Sequence, residues 1–183
     1  MAYTTQNNLL LKNLLSFYDI DDNLQKMLQI INGQSSISLR IVDWFATNYA
    51  KQKFTTYYLK NGNRFKVYTD YKLKLRSYSK KRFDPFCRWE RITIPYDDTT
   101  SVQTTIGQLN FFKWAIENEV LDYIQDNYKS IENDMNNRNS TSKRKNIKTT
   151  NVQQKTRKKR EELSICASKS IKQEKVSITI KFD

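Results

Sequence analysis

Lys66, Lys72, Lys74, Arg76 and Lys80 share one parity along the chain with Tyr68 and Tyr78. Phe65, Val67, Thr69, Tyr71, Leu73 and Leu75 share the other. Alternate side chains of a strand point to opposite faces. Residues 66–80 are therefore expected to form a strand with one apolar face and one cationic, tyrosine-bearing face. Lysine and arginine neutralise phosphates, and exposed aromatic rings stack on bases. Lys81, Arg82, Arg88, Trp89 and Arg91 continue the same mixture, so the whole ribbon is a candidate nucleic-acid contact. The plainer alternative is an exposed sheet face whose lysines deter edge pairing.

A second basic cluster lies further on. Lys143, Arg144 and Lys145 are followed, after nine residues, by Lys155, Arg157, Lys158, Lys159 and Arg160. The spacing matches a bipartite nuclear-localisation pattern and equally a nucleic-acid-binding tail. Charge is segregated around both clusters. Residues 51–94 hold 13 Lys/Arg against 3 Asp/Glu, residues 138–183 hold 14 against 4, and all others hold 5 against 12. The chain carries +13 overall on an otherwise acidic background. Such segregation favours a polyanionic partner, with a solvated basic face as the alternative.

Missing residue types remove other chemistries. With no histidine there is no Ser-His-Asp or Cys-His nucleophile system and no imidazole metal ligand. Gly33, Gly62 and Gly107 stand alone, so no glycine loop cradles a phosphate. Two cysteines, Cys87 and Cys166, cannot build a four-thiolate zinc site and are expected as free thiols. Asp21-Asp22 and Asp97-Asp98 read as turn and cap residues. The expectation is a non-enzymatic protein with no cofactor and no metal.

The elements that would position these residues follow from periodicity. Leu10, Leu11, Leu14, Leu15 and Tyr18 recur at helical spacing, and a second helix carries Leu24, Met27, Leu28 and Ile31 up to Asn32-Gly33. Residues 37–51 read as another helix, with Leu39, Val42, Phe45, Ala46 and Tyr49 on one face. Asn61-Gly62 is a strong hairpin signal and predicts that 53–59 pairs with 65–71. A third strand is expected over 88–95. Thr105 and Gln108 fit a capping box ahead of a long helix carrying Leu109, Phe112, Ile116, Val120, Tyr123 and Ile124. From Asn127 to Arg160 apolar anchors thin out, so this segment is expected to be disordered. Lys175 to Phe182 alternates apolar with polar and reads as a strand that pairs with an edge of the sheet in 53–95, or, in an interaction or virion protein, adds to the edge of a partner chain.

The fold class expected is α+β. Helices pack on a small antiparallel sheet built from a hairpin, followed by a disordered basic linker and a terminal strand. The expected divisions are an N-terminal helical segment (1–35), a core (36–128), the linker (129–162) and a C-terminal segment (163–183). No run of about 18 apolar residues is present, so no membrane partner is expected, and the first residues lack a signal-peptide pattern. Oligomeric state stays open.

Four stretches carry a family resemblance. Ser38–Ala50, Leu75–Ile92, Thr104–Val120 and Lys158–Ile171 resemble a protein shared by nucleocytoplasmic large DNA viruses of the mimivirus and phycodnavirus type. The likeness covers most of 38–183 and not the N-terminal helices. It implies a viral setting: a viral factory in the host cytoplasm, the nucleus, or the virion. The basic clusters make DNA or RNA the expected partner, and the viral setting adds other viral proteins. No site residue follows from the resemblance.

Overall fold

A computed structural model describes residues 6–96, 100–148 and 173–175. Its centre is α6 (Ile106–Glu117), in which Leu109, Phe111, Phe112 and Ala115 are fully buried. A helix apolar on nearly every side needs neighbours all round. α1 (Gln6–Tyr18), α2 (Asn23–Ile31), α5 (Val67–Arg82) and α7 (Val120–Asp126) pack against it, and α3 (Leu39–Trp44) with the π-helical turn Phe45–Tyr49 after it and α8 (Tyr128–Lys148) add Val42, Phe45 and Ile131 to the same core cluster. One turn, α4 (Ala50–Gln52), ends the third helix. The Tyr18 hydroxyl donates to the Leu109 carbonyl at 2.6 Å, and Tyr18 shares the core cluster with Phe112 and Ile124. The N-terminal helices thus cover one side of the same core.

Two small antiparallel sheets complete an α+β fold. β1 (Thr56–Tyr58) pairs with β2 (Arg64–Lys66) around the loop that holds Asn61 and Gly62. Gly62 has φ +80°, which its missing Cβ allows at little cost. β3 (Arg91–Pro95), β4 (Thr100–Thr105) and β5 (Gln173–Lys175) form the second sheet in that order. Thr105 caps α6 by accepting from the Gln108 amide at 3.2 Å, as its position in the sequence indicates.

Several expectations are corrected. Residues 67–82 form helix α5, and only Arg64–Lys66 belongs to the hairpin strand. Two periods coexist in this stretch, because Val67, Tyr71, Leu75 and Tyr78 also recur at helical intervals. Leucine, lysine and arginine are strong helix formers, and packing against α6 selects the helix. Leu73, expected on the buried face, is 55% exposed.

The long helix expected from Thr105 breaks at Glu119, which adopts φ 55° in the left-handed region. Over 129–148 the expected disorder is displaced by α8, whose Ile131 and Met135 are buried and anchor it; residues 149–162 lie outside the described residues. The strand expected over 175–182 lies outside the described residues except for Lys175. Lys175 belongs to β5, which pairs with β4, not with the hairpin sheet.

Candidate functional site

Helix α5 carries the cations, and neighbouring elements treat its length differently. At its N-terminal end the hairpin register sets Thr56 opposite Lys66 and Tyr58 opposite Arg64. The Val67 amide donates to the Thr55 carbonyl at 3.3 Å. These bonds return Arg64, Lys66 and Tyr68 to the segment that ends α4. There the Lys51 ammonium lies 5.7 Å from the centre of the Tyr68 ring. Helix α4 closes with the Thr55 amide on the Ala50 carbonyl at 3.1 Å, which leaves Phe54 in the left-handed region at φ 50°. Glycine usually holds that position after a helix. No side chain caps the start of α5; Lys66 precedes it without a side-chain cap bond.

Along the middle of α5, Lys72 and Arg76 are exposed and four residues apart, hence on one face. Lys74 is half-buried on the flank. The acid of this helix, Asp70, accepts from the Trp114 indole N–H at 2.6 Å and so faces the core. Among the described residues the ion pairs are Lys60–Asp122, Lys113–Glu117 and Arg138–Asp134, none of which uses a cation of α5.

The C-terminal end is clasped. Ser79 breaks the helical geometry at φ 62°. Phe83 then plugs into Tyr71, Phe111 and Trp114, with ring centres 5.6–5.8 Å away. Helix α6 grips the following loop. Asn110 Nδ2 donates to the Arg82 carbonyl at 2.9 Å, Gln108 Nε2 to the Pro85 carbonyl at 3.0 Å, and Thr105 Oγ1 to the Cys87 carbonyl at 3.3 Å. Gly107 makes this approach possible, since a Cβ there would meet Cys87 Cβ at 2.9 Å and the Lys81 carbonyl at 3.0 Å.

The clasped loop fixes the exposed groups of this end. The Lys81 ammonium sits 5.0 Å from the centre of the Trp89 ring, which is 60% exposed. Arg82 donates to the Gln6 side chain at 3.0 Å, and Arg91 to Gln103 at 3.2 Å. Arg88 and Lys80 are exposed. Tyr78 is half-buried and stacks near Phe83 at 6.2 Å, so it belongs to the edge of the core rather than to an open platform.

Two half-buried carboxyls feel the charge of Lys80. Burial pushes Asp43 up to about 6; Asp84 adds to this and Lys80 opposes it. Asp84 is also raised by burial, against the pull of the Phe86 amide and Lys80. Tyr71 is pushed up to about 12 by burial and then by Asp43 and Asp84.

Of the second basic cluster, Lys143, Arg144 and Lys145 lie on α8. That helix is clamped to α3 where Trp44 Nε1 donates to Asp134 at 3.0 Å and Arg138 lies 5.6 Å from the Trp44 ring. Lys155, Arg157, Lys158, Lys159 and Arg160 lie outside the described residues.

The ribbon residues therefore divide into three groups: Lys66 with Tyr68, Lys72 with Arg76, and Lys81 with Trp89. Lys51, Phe54 and Arg64 escaped sequence reasoning. The signal for them was the Asn61-Gly62 hairpin, which folds residues on either side of it together.

A family profile matches residues 2–181, nearly the whole chain and including α1 and α2. The chain belongs to DUF7197, a family of unknown function. One similar protein is Uncharacterized protein L507 of Acanthamoeba polyphaga mimivirus, 46% identical over 127 residues. The match covers 65% of this chain and 49% of the relative, so the chain spans about half the length of that protein. The relative bears out the giant-virus setting that the four resembling stretches implied. No solved structure matches. Among the described residues no helix is long and apolar enough to cross a membrane.

Proposed function

We propose that this DUF7197 member binds nucleic acid without catalysing a reaction on it. The observation that supports this best is the exposed side of α5 and its following loop. Lys72 and Arg76 offer charge, the clasped loop presents Lys81 against an exposed Trp89, and Arg88 lies beside it. Cations near an open aromatic ring suit a phosphate and its base. The contact is helical and not the strand ribbon the alternation indicated. Lys143, Arg144 and Lys145 on α8 would add sequence-independent attraction. The place of action would be the viral factory, the nucleus or the virion.

A second reading is an interaction or virion protein that docks through its C-terminal strand. It draws support from β5, which occupies an edge of its sheet among the described residues. Salt separates the two, because counterion release makes nucleic-acid affinity fall steeply with salt.

Fluorescence anisotropy with duplex DNA, single-stranded DNA and RNA at two salt concentrations is the test. Binding should weaken sharply at the higher salt. Changing Lys72 and Arg76 together to alanine should reduce the slope by about one unit for each phosphate no longer neutralised. Absence of binding to all three at low salt would refute the proposal and leave the docking reading.

A further inference from the structure

A cavity of about 540 Å³ opens between the end of α4, the hairpin and the start of α5. Three of its lining residues are cations, Lys51, Arg64 and Lys66, and none is a carboxylate. Phe54 and Tyr68 supply two rings. Thr55 forms part of the wall; it is 7% exposed, and its Oγ1 is buried with no hydrogen-bond partner.

Three physical features of this cavity lack a structural use. Phe54 is 86% exposed, so its ring adds little to the core, yet it holds a left-handed backbone that costs a bulky residue energy. No side chain caps the start of α5: the Val67 amide is taken by the Thr55 carbonyl, and a first turn without a side-chain cap favours an anion at the amides that follow. The cations gather where, among the described residues, no acid neutralises them. Strain, unpaired polar groups and unneutralised charge persist together at places that hold a ligand.

We infer that this cavity binds a nucleoside phosphate. Lys51, Arg64 and Lys66, with the Tyr68 and Thr69 amides of the first turn of α5, would hold the phosphate. Phe54 and Tyr68 would stack on the base. The volume lies within the range of small-ligand sites. The same chemistry is offered by a free nucleotide and by the phosphorylated end of a strand. The site uses residues other than Lys72, Arg76, Lys81 and Trp89, so it stands or falls apart from the backbone contact proposed above.

Isothermal titration calorimetry on the full chain tests it, with AMP, adenosine, ribose 5-phosphate and inorganic phosphate as probes. AMP should bind saturably, and adenosine and inorganic phosphate at least about tenfold more weakly, since each lacks one half of the recognition. Arg64→Ala and Phe54→Gly should each weaken AMP about tenfold, while Lys12→Ala, at an exposed position of α1, should leave it unchanged. Both altered side chains are exposed, so these variants keep the core. A 5′-phosphorylated single strand that displaces AMP, where its unphosphorylated twin does not, would identify a strand end as the source. Failure of either strand to displace bound AMP would identify the free nucleotide. No saturable AMP binding, or binding that Arg64→Ala and Phe54→Gly leave intact, would overturn the inference.

Discussion

Each end of α5 gathers three cations, and the fold treats the two sets in opposite ways. At the C-terminal end the charge of Lys80 acts on the half-buried Asp43 and Asp84, Lys81 rests against Trp89, and Arg82 bonds to Gln6. The loop beneath them is tied to α6 by three hydrogen bonds and a glycine contact. At the N-terminal end Lys51, Arg64 and Lys66 line an open cavity beside an uncapped helix start. Equal local charge is thus used once to complete the fold and once in a place the fold leaves unfilled. Charge counts alone would not separate the two roles; partners and burial do.

The sharpest way to test the structural role of the C-terminal end is Asp43. Its carboxyl titrates near 6 in the folded chain, above the 3.8 of an ordinary aspartate, chiefly because it is buried. A raised value means the fold prefers the protonated form. The stability this gives is fully present below about pH 4 and is lost as pH rises through about 6. Asp43→Asn, which stays neutral, should therefore be more stable than the natural chain at pH 7.5, by up to about 3 kcal/mol. Near pH 4 the two should melt together. Thermal melts at both pH values decide this, and a gap independent of pH would show that Asp43 is not held in its neutral form.

A smaller effect is expected from Gly107→Ala. An added methyl would press on Cys87 Cβ and on two backbone carbonyls, those of Lys81 and Asp84, which cannot swing aside. Overpacking should outweigh the gain in helix propensity and cost about 2 kcal/mol. The Lys81–Trp89 pair should loosen with it, seen as a shift in tryptophan emission. If denaturant melts show no loss, the clasp is softer than its distances indicate, and the contrast between the two ends weakens.

How much of this was open to sequence reasoning depended on how many patterns overlapped. Thr105, Gln108 and the stripe from Leu109 to Ile116 pointed one way, and the cap and the buried Leu109 and Phe112 are where they should be, while the rest of the stripe falls on α7 beyond the break at Glu119. The helices ending at Tyr18 and Ile31 were equally plain. Residues 66–80 carried two periods at once, and local sequence cannot see Trp114, Phe83 and Phe111 waiting to pack against Tyr71. β4 was hidden because Thr100–Thr105 holds mostly polar residues, and its pairing with β3 supplies what its composition does not. Helix α8 was missed because its apolar anchors are few; Ile131, Met135 and the Asp134–Trp44 bond suffice to dock it. For the site, the identity of the cations was legible and their grouping was not, since Lys51 and Phe54 meet Arg64 and Tyr68 only once the hairpin closes.

The smallest expected effect on stability bears most directly on the N-terminal end. Phe54 occupies a left-handed position that an L-residue reaches at about 1–2 kcal/mol and glycine reaches freely, although glycine loses about 0.5–1 kcal/mol more on ordering. The exposed ring gives back little through burial. Phe54→Gly should consequently leave stability unchanged or raise it by up to about 1 kcal/mol. Were Phe54 there for the fold, removal of its ring would instead lower the melting temperature. A variant as stable as the natural chain that has lost AMP binding would show that the strain at Phe54 serves a ligand. A variant less stable by more than about 1 kcal/mol would place the ring in the packing, and the two ends of α5 would then differ in charge environment and not in purpose.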